Sequence, residues 1–144
     1  SDEYIFIVKY HYLVSDKIDW TPYKGFVYTF DETKDIAWLY LVSDMLITDY
    51  SSVMFDYSIL NRPMLFFAYD LEDYKENLRG FYFDFVNDIP GPISRDTDQL
   101  IKDIKEYNED SWKEKYKNYH DKFNGIDDGH ASQKVIDVIK KVSR

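Results

Sequence analysis

Short apolar runs without polar alternation recur through the first half of the chain. Tyr4-Ile5-Phe6-Ile7-Val8-Lys9 is the first, and its β-branched and aromatic residues predict a buried strand. Residues 10–25 are polar, include Pro22 and read as loop. Phe26 to Phe30 is a second strand; Asp31 or Thr33 then caps a helix over 35–43, with Ile36, Leu39, Tyr40 and Val42 on one face. A third strand, Met45 to Thr48, leads through Asp49 and Tyr50 into a helix from Ser51 to Leu60. Asn61-Arg62-Pro63 stops that helix, and Met64 to Ala68 is a fourth apolar strand. Buried strands separated by helical stretches predict an α/β fold of the doubly wound type, a parallel sheet flanked by helices on both faces.

The second half reads differently. A short helix is expected over 70–78, a loop or short strand over 79–85, and a firm break at Pro90-Gly91-Pro92. Helices follow over 96–107, with Leu100, Ile101 and Ile104 on one side, and over 110–123, rich in Lys, Tyr and Asn. The last runs from Ala131 to Val142 after the Asp127-Asp128-Gly129 turn, its Val135, Ile136, Val138 and Ile139 at helical spacing. No repeat or long linker divides the chain, so one domain over 1–144 is expected.

Composition narrows the function classes. A formal charge of −9 argues against a general nucleic-acid partner, whose phosphates need a basic face. No apolar run approaches the ~20 residues of a membrane-spanning helix, and Ser1-Asp2-Glu3 lacks the basic start of a signal peptide. The absence of Cys excludes disulfides, thiolate metal sites and Cys nucleophiles. Fourteen Tyr, ten Phe and three Trp are many for this length, and several fall in 80–85 and 107–123, outside the predicted sheet. They form either a compact core with a wet aromatic rim or a surface that docks on a partner, since aromatics are enriched at interfaces.

The chemistry concentrates where the third strand meets its helix. Ser51 and Ser52 read in two ways. One is helix capping, the commonest role of Ser at this place. The other is an anion cradle, in which two hydroxyls join free helix-end amides at the carboxyl end of a parallel strand. Asp56, one turn on, either accepts from ribose hydroxyls or complements the helix dipole. His11, after the first strand, lies on the same predicted rim and either serves a phosphate oxygen or is a solvated loop residue. Arg79 suits a phosphate as a planar cation, or is a surface residue before Gly80. His120 reads as surface, and Asp128 reads as a helix cap rather than part of a metal cluster with Asp127 and His130. No acidic pair has metal spacing, so no metal is expected.

Leu46-Ile47-Thr48-Asp49-Tyr50-Ser51-Ser52, then Asp56-Tyr57, then Arg62-Pro63 before an apolar strand resembles the CDP-glycerol glycerophosphotransferases, the teichoic acid polymerase and primase family. Gly80-Phe81-Tyr82-Phe83-Asp84, Pro90-Gly91-Pro92 and the closing Phe123-Asn124, Asp127-Asp128-Gly129 and Ala131-Ser132 resemble its later blocks in the same order, over residues 4–142.

The resemblance implies a Rossmann-like CDP-alditol-binding domain, the C-terminal half of a glycosyltransferase-B-type enzyme whose N-terminal domain is absent from this chain. The implied reaction moves glycerol phosphate, or ribitol phosphate, from its CDP ester to a hydroxyl of a lipid-linked polymer acceptor. Ser51 and Ser52 then hold the donor phosphates and Asp56 its hydroxyls, with Asp49 and Arg79 as further donor-binding candidates and His11 as the catalytic candidate. The only small-molecule requirement implied is the donor, CDP-glycerol or CDP-ribitol, with no cofactor. The whole enzyme is expected peripherally at the cytoplasmic membrane face, the fragment alone soluble and nearly inactive, with a homo-oligomer left open. A nucleotide-sugar glycosyltransferase domain and a non-catalytic interaction module are the competing readings.

Overall fold

The computed structural model describes residues 3–11, 18–73 and 82–143. The chain forms two compact units, Ser1–Ser43 and Asp44–Arg144.

In the first unit, strands β1 (Phe6–Val8) and β2 (Val27–Thr29) pair in parallel, Phe6 opposite Val27 and Val8 opposite Thr29. Thr21–Tyr23 makes one 3-10 turn, with Pro22 in the first positions, where no amide is needed. Helix α1 (Ile36–Val42) is capped by Asp35, whose carboxylate accepts from the Ala37 amide at 2.9 Å. Asp31 and Thr33, the expected caps, instead close a turn on one another. The Thr33 hydroxyl and amide donate to Asp31 at 2.7 and 2.9 Å, holding its carboxyl below the usual carboxylate range. Tyr40 is buried while Val42 is exposed beside Trp38 and Leu41, so Val42 does not share the inward face expected of it.

The second unit holds a three-stranded parallel sheet in the order β3 (Leu46–Thr48), β4 (Met64–Phe67), β5 (Ile93–Ser94). The register sets Leu46 beside Met64, Thr48 beside Phe66, and Phe67 beside Ser94. Met64, Leu65 and Phe66 are fully buried, as the unbroken apolar run of a central strand requires. β5 falls just beyond the Pro90-Gly91-Pro92 break and was not expected. Pro92 and Ser94 carbonyls accept from the Phe66 and Ala68 amides at 3.0 and 2.9 Å. Gly91 permits this approach, because a Cβ there would lie 1.9 Å from the Met64 carbonyl oxygen.

Beyond helix α2 (Val53–Ser58) and its cap Ile59, Asn61 turns the chain with a φ of 51°, a left-handed angle that Asn tolerates before Arg62-Pro63. Of the helix expected over 70–78 the described part is α3 (Leu71–Asp73). Helix α4 (Phe85–Asp88), capped by Asp84, replaces the loop or strand expected there. Helices α5 (Thr97–Lys105) and α6 (Glu109–Phe123) start on Asp96 and Asn108, whose side chains accept from the Gln99 and Asp110 amides at 2.8 and 3.0 Å. Helix α7 (Ala131–Val142) has the expected bounds, with Val135, Ile136, Val138 and Ile139 exposed. No helix among the described residues is long and apolar enough to cross a membrane.

The described aromatics of the later segments divide: Tyr82 is fully exposed, while most of the others pack inward. Phe55 on α2 stacks on Tyr119 of α6 at 5.9 Å between centroids and meets Phe123 edge-on at 5.1 Å, while Phe83 joins Phe123 at 5.1 Å. Phe85 and Tyr119 are buried and Tyr116 nearly so. These rings are the cement between α2, α4 and α6, and aromatic pairing adds about 1 kcal/mol per pair to their burial.

Candidate functional site

Three neighbouring parallel strands end on the same edge of the β3-β4-β5 sheet, with Asp49, Asp70 and Arg95 within three residues of their ends. After β3, Asp49 accepts from the Ser51 amide at 2.9 Å, and the Ser51 hydroxyl accepts from the Val53 amide at 3.5 Å, the outer limit of a bond. Ser52 takes the cap position of α2 with helical backbone angles, and its hydroxyl makes no capping bond. Ser52 is exposed and Ser51 half-buried. Capping therefore does not account for Ser52. Helix α2 is six residues long, shorter than the 51–60 expected, so its macrodipole is small and the two hydroxyls carry more of any anion contact. Asp56 is exposed in its first turn.

The loop is pinned from β4. The Tyr50 hydroxyl donates to Asp70 Oδ1 at 2.9 Å, and its ring lies 5.5 Å from that of buried Phe85. Burial, then the bond to Asp70, raises the Tyr50 hydroxyl well above its ordinary ionisation range. After β5 comes Arg95, whose Nη1 and Nη2 both lie 3.3 Å from Glu72 Oε1. Behind the loop, Asn124 Nδ2 donates to the Phe55 carbonyl at 2.9 Å, and the Ser58 hydroxyl sits 2.7 Å from the same carbonyl and 3.1 Å from Asn124 Oδ1.

The structure therefore brings Ser51, Ser52, Asp49 and Asp56 together at one strand end. Arg79 lies outside the described residues, as does Gly80. His11 belongs to the first unit, exposed directly after Tyr10. The Tyr10 hydroxyl accepts from Trp20 Nε1 at 2.6 Å and the Ile18 amide at 3.2 Å, and a pocket of about 380 Å³ opens among Tyr10, Thr29, Asp31 and Glu32. His120 is a half-buried α6 residue 3.7 Å from Asp121. His130, not Asp128, takes the α7 cap position; Asp128 accepts from the His130 amide at 3.0 Å and pairs with Lys134 at 2.9 Å. No group of three His, Asp or Glu among the described residues is placed to hold a metal ion. Tyr50, Asp70 and Arg95 escaped the sequence reading, because their juxtaposition depends on strand order and register.

Residues 1–141 match the protein family described as CDP-Glycerol:Poly(glycerophosphate) glycerophosphotransferase. The chain is 46% identical over 143 residues to a teichoic acid poly(glycerol phosphate) polymerase of Bacillus subtilis, covering 98% of this chain and 19% of that protein. It is 43% identical over 151 residues to a teichoic acid poly(ribitol-phosphate) polymerase of Bacillus spizizenii, covering 96% of this chain and 22% of that one. A solved structure of the wall teichoic acid polymerase TagF superposes with a TM-score of 0.85 at 43% identity, over 97% of this chain and 35% of that chain. A TagF variant soaked with CDPG superposes at 0.84. The chain thus spans between about a fifth and a third of the length of these proteins.

Proposed function

The chain belongs to the CDP-glycerol glycerophosphotransferase family, and from that premise we propose that it is the donor-binding domain of a transferase in teichoic acid or related polymer synthesis. The donor is the CDP ester of an alditol, glycerol or ribitol, and the acceptor is a hydroxyl of a membrane-linked polymer. The acceptor oxygen forms a new bond to the phosphorus that carries the alditol. The P–O bond to CMP breaks, CMP leaves with the electron pair, and the hydroxyl proton passes to a base. Such transfer depends on positioning and on stabilising phosphate charge.

The observation that carries this reading is the Ser51-Ser52 turn at the carboxyl end of β3, with the Ser52 hydroxyl uncommitted to a cap. Ser51 and Ser52 donate to the donor phosphates; Asp56, and Asp49 through its hold on the Ser51 amide, orient the rest of the donor. His11 protonates or orients a phosphate oxygen, and Arg79 is a further phosphate contact. The rest of the enzyme supplies the acceptor site and the attachment to the cytoplasmic membrane face. The double variant Ser51→Ala/Ser52→Ala tests the donor site by calorimetric titration with CDP-glycerol. Loss of two charge-assisted bonds predicts about 100-fold weaker binding with an unchanged melting temperature. An unaltered affinity overturns the assignment.

A further inference from the structure

A diphosphate donor brings negative charge to an edge that is itself acidic. The described residues between the ends of β3, β4 and β5 and the helices that follow include Asp49, Asp70 and Asp96, and a single cation, Arg95. Two neutral hydroxyls and a short helix bring no full positive charge to set against that repulsion.

Arg95 is held in a way that leaves it available. It follows Ser94 directly, and Ser94 is fully buried, its hydroxyl donating to Asp103 Oδ2 at 2.7 Å, so the backbone that carries Arg95 is fixed. Its side chain is 47% exposed, and both terminal nitrogens share one oxygen of Glu72, itself 68% exposed, at 3.3 Å. An exposed pair of this kind contributes about 0–1 kcal/mol, so a dianion displaces it at little cost. Its partner Glu72 lies two residues past Asp70, the carboxylate that takes the Tyr50 hydroxyl at 2.9 Å, so the segment after β4 links Arg95 to the loop that carries Ser51. A guanidinium presents two parallel N–H groups that match two phosphate oxygens, which an ammonium does not.

We propose that Arg95 is a phosphate-binding cation of this edge, exchanging Glu72 for the diphosphate of the nucleotide donor when the donor sits on Ser51 and Ser52. Glu72 holds the guanidinium in place in the empty site and competes with the ligand. The proposal rests on the donor-binding reading above and adds to it the residue that discriminates diphosphate from nucleoside.

Calorimetric titration of CDP and of cytidine into the wild-type chain and the Arg95→Ala, Arg95→Lys and Glu72→Gln variants tests it, with circular dichroism melts to confirm folding. Arg95→Ala is expected to weaken CDP at least about tenfold and leave cytidine within about twofold. Arg95→Lys recovers part of the loss, and Glu72→Gln tightens CDP severalfold because the competitor is gone. A wild-type CDP affinity in Arg95→Ala, or an equal loss of CDP and cytidine, overturns the assignment while leaving the donor site standing. A wild-type chain that binds no CDP removes the donor reading and this inference with it. Should Arg95→Ala fail to fold, Glu72→Gln decides: unaltered CDP affinity there overturns the exchange.

Discussion

Asn124 Nδ2 donates to the carbonyl oxygen of Phe55 at 2.9 Å, although the two residues are 69 positions apart. The bond ties the residue just past α6 to the middle of α2, the helix whose first turn carries the candidate site. Asn124 is 4% exposed and Ser58, its other neighbour, 1%. The Phe123-Asn124 block that resembled the family's closing motif is therefore a brace for the site helix.

Replacing Asn124 by Leu leaves the Phe55 carbonyl with the Ser58 hydroxyl alone and strips Ser58 of a partner. A loss of about 2 kcal/mol in unfolding free energy is expected, the cost of under-satisfied buried polar groups. Urea unfolding reads it. A shift below ~0.5 kcal/mol would show that the brace carries no stability.

At Gly91 the backbone leading into β5 presses against β4. The glycine's neighbours Pro90 and Ile89 are buried, and the Met64 carbonyl occupies the space a Cβ needs. Gly91→Ala forces β5 away from β4 and is expected to cost on the order of 4 kcal/mol or more. Gly25→Ala meets no atom within 4 Å and carries only the strain of its φ of 91°, so about 1 kcal/mol is expected. Comparable melting temperatures for the two variants would refute the steric account.

β3 and β4 were legible because both faces of a central parallel strand are buried, and Met64-Leu65-Phe66-Phe67 writes that directly into the sequence. β5 was not, since two residues behind Pro90-Gly91-Pro92 carry no periodicity and pair only because Gly91 lets the backbone approach. α4 was hidden by the aromatic density of Tyr82 to Phe85, which reads as strand or surface, whereas Phe83 packs on Phe123 of α6 and Phe85 is buried. The same limit governs the site. The Ser51-Ser52 turn is a local strand-to-helix signal, whereas Asp70 reaches Tyr50 from another strand's end.

Buried tyrosines give the fold an alkaline limit. Tyr57 is pushed up to about 12 by burial, and Tyr119 is raised by burial and then by the charge of Asp88. In the unfolded chain each ionises near its ordinary value of about 10. The stability held by these protonated hydroxyls is complete below pH 10 and is lost as pH rises through the folded values, at most ~1.4 kcal/mol per pH unit for each group. Tyr119 is the one to remove, because among the described residues its hydroxyl has no hydrogen-bond partner. Tyr119→Phe is expected to be neutral or slightly stabilising at pH 7 and to flatten the fall of the urea midpoint between pH 10 and 12. An unchanged slope would assign the alkaline limit to other groups.

The Tyr50–Asp70 bond joins the loop of the candidate site to the neighbouring strand end, and a double-mutant cycle isolates it. Tyr50→Phe keeps the ring against Phe85 and removes only the donor. A loss of about 1 kcal/mol is expected, with CDP binding weakened severalfold as Ser51 and Ser52 lose their fixed position. Asp70→Ala produces the same losses, and the double variant is no worse than either single one. Asp70→Asn retains an acceptor oxygen for the phenol and restores most of the binding. Strictly additive losses in the cycle would mean that Tyr50 and Asp70 act separately and that the loop takes its shape from Asp49 alone, through the bond to the Ser51 amide.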